Sequence, residues 1–195
     1  MIEIVPIDYL KPLEMVFPAH LLNLSKMIMN SGCVTSPIIA DKETGIVLDG
    51  SHRYVFFLEY GYKKAPVKYV NYKDENIRVG THLMHRHIID GGTGISKEEV
   101  ITRGLNGDLF SPRTTRNFFP FRKNAFTEIK LSDLEQGDPV DVSKYIADVT
   151  TDYEIDHNLN YLEEIEHEID EIIRYLDEIR LTKMYLNKQI TEMKK

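Results

Sequence analysis

The sequence predicts an α+β domain followed by one long coiled-coil helix. Three observations point there. Short β-prone runs alternate with helical patterns through residue 134. The stretch "EQGDPVD" (135–141) then breaks the pattern as a linker. From Ile155 a seven-residue apolar repeat runs to the end of the chain.

In chain order, residues 2–5 read as a short strand ending at Pro6. Pro12 bars a regular helix through "DYLKPLEMV", which reads as a loop. Pro18 opens a helix whose stripe of Leu21, Leu22, Leu24, Met27, Ile28 and Met29 ends near Gly32. "SPIIAD" and "IVLD" are strands joined by the turn "KETG". Ser51 to Tyr60 is a helix closed by Gly61, and "APVKYVNY" is a further strand. A helical pattern is expected from Ile77 to Ile88. Ser96 is the N-cap of a helix with Glu98 and Glu99 in its first turn, ended by Gly104 or Gly107. "SPRTTRNFFPF" is a turn followed by β-prone aromatic residues, and "TEIKLSDL" a short strand and turn.

One heptad position of the tail holds Ile155, Leu162, Ile169, Leu176, Lys183 and Ile190. The other holds Asn158, Ile165, Ile172, Ile179, Leu186 and Met193. Such a helix cannot bury its stripe alone, so a homo-oligomer is expected, with Lys183 and Asn158 fixing register. Leu162 and Leu176 at the first position, with Ile at the second, favour four strands over a parallel pair. The expected organisation is therefore 1–134, a domain; 135–152, a linker; and 153–195, a coiled-coil oligomerisation helix.

Composition narrows the function. The chain has 195 residues and a net charge of −7. An acidic balance argues against a general nucleic-acid binder, which needs a basic surface to meet phosphates. No stretch suits a membrane span or a signal peptide, and the single Cys33 fits a reducing cytoplasm. Charge is uneven, however: 141–180 is acidic, while Arg103 to Lys130 is basic.

Three stretches carry candidate chemistry. In "VLDGSHRY" a strand runs through Asp49 and Gly50 into a helix start at Ser51, followed by His52 and Arg53. Free amides and the helix dipole make such a start an anion pocket, with Ser51 as cap and Arg53 suited to phosphate. A capped surface turn with an Asp49–Arg53 ion pair fits the same residues. In "SPRTTRN", Ser111, Arg113, Thr114, Thr115 and Arg116 gather hydroxyls and guanidinium groups able to hold a carboxylate or a phosphate. In "LKPLEMV", Glu14 sits among Leu13, Met15 and Val16, where a buried carboxylate can serve as a general base. His82, His85 and His87 have metal-ligand spacing without a completing Cys or carboxylate pair.

These stretches, in this order, resemble the ParB/sulfiredoxin fold and within it the free L-serine kinases. "LKPLE" is similar to the loop with their catalytic glutamate, and "VLDGSHRY" to their Asp-Gly-x-His-Arg motif. "YGYKKAPV" resembles the stretch after that motif's helix, and "KEEVITRGLNGDLFSPRTTRNFFPF" the distal substrate loop. The resemblance covers roughly residues 3–134. It implies phosphoryl transfer from ADP or ATP, with Mg²⁺, to the hydroxyl of free L-serine or a similar hydroxy amino acid. Glu14 and Asp49 would be catalytic; Gly50, Ser51, His52 and Arg53 would hold phosphates. Ser111, Arg113, Thr114, Thr115 and Arg116 would bind the amino acid, and Asp49 would either position Mg²⁺ or assist the hydroxyl. The chain departs from the family at Asn117, where His is common, and in a short segment between "APV" and "SPRTTR". A ParB-like nucleotide-binding regulator without kinase activity is the alternative. Sulfiredoxin chemistry needs a cysteine where this chain has Ser51.

Overall fold

A computed structural model describes residues 1–80, 94–121 and 128–193. His82, His85 and His87, and most of the expected 77–88 helix, lie outside the described residues. The chain forms two units, Met1–Glu154 and Ile155–Lys195.

The first unit is built on a four-stranded sheet of order β1-β5-β3-β4. Its strands are β1 (Glu3–Pro6), β3 (Ile38–Asp41), β4 (Val47–Asp49) and β5 (Lys64–Val70). β1 and β4 run antiparallel to their neighbours, whereas β3 and β5 are parallel. Every residue of β3 is buried, as a central strand covered on both faces requires. Ile38 and Ala40 face one apolar cluster with Val55, Phe56, Phe57 and Val67. Ile39 faces the other, with Leu13, Leu48, Tyr72, Val100 and Phe110.

Helix α1 (Pro18–Ser31) and helix α2 (Ser51–Glu59) pack together and bury Leu21, Ile28, Tyr54 and Phe57. α1 ends at Gly32, whose φ of 65° is the left-handed cap expected of glycine. On the opposite side of the sheet, helix α3 (Lys97–Asn106) starts at Ser96, whose Oγ accepts from the Glu99 amide at 3.1 Å. It ends at Gly107, not Gly104. Gly104 instead lies inside the helix, where a Cβ would come within 2.7 Å of Ile46 Cδ1. Glycine there lets α3 approach β4. Two small sheets complete the unit: β2 (Cys33–Val34) with β8 (Ile129–Lys130), and β6 (Arg78–Gly80) with β7 (Arg116–Phe118). Arg78–Gly80 is thus a strand where the apolar spacing suggested helix. Pairing with β7 overrides local pattern there.

Residues 135–152 are strapped onto the domain. The Val140 amide donates to the Leu58 carbonyl, and the Ala147 amide to the Val16 carbonyl. Val142 and Ala147 are buried. The Gly, Pro and Asp residues of "EQGDPVD" make such a segment look like a spacer, although apolar residues follow them closely.

The second unit is the body of helix α4, which runs from Thr151 to Met193. No helix among the described residues is long and apolar enough to cross a membrane.

Candidate active site

The site assembles where β4 ends, α2 begins and β7 passes. A cavity of about 230 Å³ is lined there by Glu14, His20, Asp49, Gly50, Ser51, His52, Arg53, Arg113, Thr115, Arg116 and Asn117, among others. The three sequence-distant stretches therefore converge on one space.

Gly50 is the hinge of the strand-to-helix turn. Its φ of 100° is the left-handed region that side chains avoid, and a Cβ would fall 2.7 Å from Arg53 Nη2. Gly50 also occupies the N-cap position of α2, with no side-chain cap. Ser51 is the first helical residue, which corrects its expected capping role. The first helical bond runs from the Tyr54 amide to the Gly50 carbonyl. The amides of Ser51, His52 and Arg53 come before it, at the positive end of the helix dipole.

Arg53 is held by Asp49, with Nη2 at 3.3 Å from Oδ2. The Asp49–Arg53 ion pair expected of a surface turn is therefore present, but it lines the cavity. The Arg53 Nε is buried without a hydrogen-bond partner. A buried donor left unsatisfied is a cost that an anionic ligand would relieve.

His52 is not a cation. Its Nε2 accepts the Phe17 amide at 3.1 Å, which leaves the proton on Nδ1. Burial, with help from His20, Arg113 and Arg53, pushes its pKa down to about 3. His20 meets the His52 ring edge-on at 4.4 Å between centroids, and burial lowers its pKa as well.

Glu14 is a strongly perturbed carboxylate. Burial pushes its pKa up to about 7; Asp49 adds to the rise, while Thr115 opposes it. The Thr115 amide and hydroxyl both donate to Glu14 Oε1, the latter at 2.8 Å. Loop hydrogen bonds fix the segment: the Met15 amide donates to the Phe110 carbonyl, and the Phe110 amide to the Leu13 carbonyl. Thr115 therefore orients the carboxylate, and it also lines the cavity in which the sequence suggested a contact to the amino acid.

Of the remaining distal residues, Arg113 and Arg116 line the cavity. Arg113 has a φ of 56°, a costly value for a side-chain-bearing residue. Ser111 and Thr114 lie outside the lining. They close a turn, the Thr114 hydroxyl donating to the Ser111 carbonyl at 2.8 Å. Asn117 is buried and doubly bonded: its Oδ1 accepts from the Tyr72 hydroxyl at 2.8 Å, and its Nδ2 donates to the Leu48 carbonyl at 2.9 Å. It locks β7 beside β4. Sequence reasoning did not place His20 in the site. Its position in the first turn of a helix begun by Pro18 was the available signal. Among the described residues no cluster of three or more His, Cys, Asp or Glu could by itself hold a metal ion.

No family model matches the chain. An ATP-dependent L-serine kinase of Staphylothermus marinus is 38% identical over 82 residues, 40% of this chain and 32% of the relative. The match thus spans about a third of that relative's length. A mutant free serine kinase in complex with ADP superposes with a TM-score of 0.60 at 16% identity, covering 69% of this chain and 94% of that one. SbnI with a C-terminal truncation, from Staphylococcus aureus, gives a TM-score of 0.52 at 15% identity, over 86% of this chain and 97% of that one. The chain has the α+β, ParB/sulfiredoxin-like fold of the free serine kinases and SbnI, with a long C-terminal helix, and it resembles an L-serine kinase in sequence over part of its length.

Proposed function

We propose that this protein is a small-molecule kinase, moving a phosphoryl group from ADP or ATP to the hydroxyl of free L-serine or a similar hydroxy amino acid. One observation carries the reading: a buried carboxylate with a pKa of about 7 shares a cavity with a helix N-terminus. The likeness to serine kinases in sequence and fold supports it.

Phosphoryl transfer asks a protein for alignment, a base and charge neutralisation. Glu14 titrates near neutral pH, where a general base works best, and takes the proton of the acceptor hydroxyl. The amides of Ser51 to Arg53, the Nδ1–H of His52 and the Arg53 guanidinium grip the donor's phosphates. Arg113 and Arg116 receive the carboxylate of the amino acid. Mg²⁺ fits this donor set, since it is commonly held by one or two carboxylates together with substrate phosphates. Asp49 would hold it, and it would supply neutralising charge on the phosphates.

The test is incubation with Mg²⁺, ADP or ATP and a panel of hydroxy amino acids, followed by mass spectrometry. A phosphorylated amino acid is expected. Glu14→Gln should lower the rate by roughly 10²-fold or more, with nucleotide binding kept in calorimetry. No product with any pair, or loss of nucleotide binding in Glu14→Gln, would overturn the assignment.

A further inference from the structure

Helix α4 carries a stripe that its own unit leaves exposed. Ile155, Leu162, Ile169, Ile172, Leu176, Ile179, Leu186 and Ile190 are each about half exposed. The two seam positions repeat every seven residues over more than five heptads, the pattern of a helix covered by another helix. Its charge is polarised along the axis. Residues 151–172 hold nine carboxylates and no Lys or Arg, whereas 173–195 hold six Lys or Arg and three carboxylates.

We propose that α4 pairs antiparallel with α4 of a second copy of this chain, in a register centred on Arg174. A parallel pair would set the acidic halves side by side. It would also place Lys183 against Lys183 inside the seam, where like charges are costly. The antiparallel pair sets the acidic half of each copy against the basic half of the other.

The centred register satisfies the seam layer by layer. Leu162 meets Leu186 of the second copy, Ile169 meets Ile179, and Ile172 meets Leu176. Lys183 meets Ile165, with Glu166 beside it. On the flank, Glu166 meets Arg180 of the second copy, twice by symmetry. Arg180 otherwise touches Asp177 of its own helix at 3.1 Å, an exposed pair of small value. The parallel register offers Glu166 only Tyr161, and Arg180 only Tyr175. The pairing is independent of the reaction assigned to the site.

The test uses the full chain with Cys33→Ser and one spin-labelled cysteine, Asn160→Cys or Lys188→Cys, read by dipolar electron spectroscopy. Positions 160 and 188 lie at the same level of the antiparallel register, on the outer faces of the two helices. Asn160→Cys alone should give a distance above roughly 42 Å, the axial offset of 28 residues at 1.5 Å each. An equal mixture of the two labelled chains should add a short distance, under roughly 25 Å. Glu166→Arg should weaken the dimer roughly tenfold in sedimentation, and adding Arg180→Glu should restore it. A short distance from Asn160→Cys alone, a monomer at micromolar concentration, or no restoration by the second charge swap would each overturn the proposal.

Discussion

Glu14 carries the cost of burial in the folded chain, and its chemistry follows from that cost. Its pKa rises from 4.5 to about 7 because water is excluded, and the Thr115 bonds hold the rise in check. Transfer should therefore increase with pH through about 7 and level off above it. Thr115→Val removes the hydroxyl donor, which favours the ionised form, so the rising limb should move to higher pH. A limb that stays in place would show that Glu14 is not the group being titrated. Stability moves the other way. Between pH 4.5 and about 7 the folded state holds a proton on Glu14 that the unfolded state has lost. The Glu14 contribution to stability thus declines as pH rises across that window, by ~3 kcal/mol. His52, with its pKa pushed down to about 3, acts with opposite sign between about 3 and 6.5, and Glu14→Gln leaves that contribution in place. At pH 8 the Gln variant should melt roughly 5 °C or more above the parent, and at pH 4 near it. A lower melting temperature for Glu14→Gln at pH 8 would mean that the carboxylate is not strained.

At the scale of elements, helix starts organise the site, and one of them is capped from far away. α1 opens with Phe17 and Pro18 and has no side-chain cap of its own. The Glu154 carboxylate supplies it, accepting the Ala19 amide at 2.9 Å and the His20 amide at 2.8 Å. Glu154 is 3% exposed, and its negative charge faces the positive end of the α1 dipole. Glu154→Ala should leave two amides unsatisfied and cost about 1–3 kcal/mol in urea unfolding. Glu154→Gln, which keeps an acceptor but not the charge, should lose less; equal losses would remove the dipole from the account. No local pattern could announce this cap, since 135 residues separate Ala19 from Glu154. What the sequence did make legible was local. Pro18, Gly32, Ser96 and Gly107 mark helix ends by backbone chemistry alone, and the strands "SPIIAD" and "IVLD" stand out by β-propensity. Glu14, the Asp49–Arg53 turn and the arginines of "SPRTTRN" were legible as parts. Their convergence was implied only by the family resemblance and not by any local pattern, because it depends on the bond from the Thr115 amide to Glu14 and on Asn117 tying β7 to Leu48.

At the scale of the whole molecule, the boundary between the two units falls within α4, just after its capping residue. The heptads mark where the exposed helix begins but say nothing of where the core stops needing it. Val142, Ala147 and Glu154 are buried in the first unit, so that unit has its own complete core up to Glu154. A chain ending at residue 160 keeps the cap and nearly two further turns of helix. It should fold cooperatively, as a monomer, with a urea midpoint close to that of the full chain measured at a concentration where the long helix is unpaired. A chain ending at residue 150 keeps the strap of 135–150 but loses Glu154. Its midpoint should fall by an amount matching Glu154→Ala, because the same two amides of α1 lose their acceptor. If the 160-residue chain is already as unstable as the 150-residue one, the helix body supports the domain directly and the capping bond is incidental. If both match the full chain, neither the cap nor the helix contributes to the stability of the first unit. The expected ordering, with the 160-residue chain near the full chain and the 150-residue chain below both, would assign the stabilising role of α4 in this unit to its first turn and leave the remaining turns to assembly.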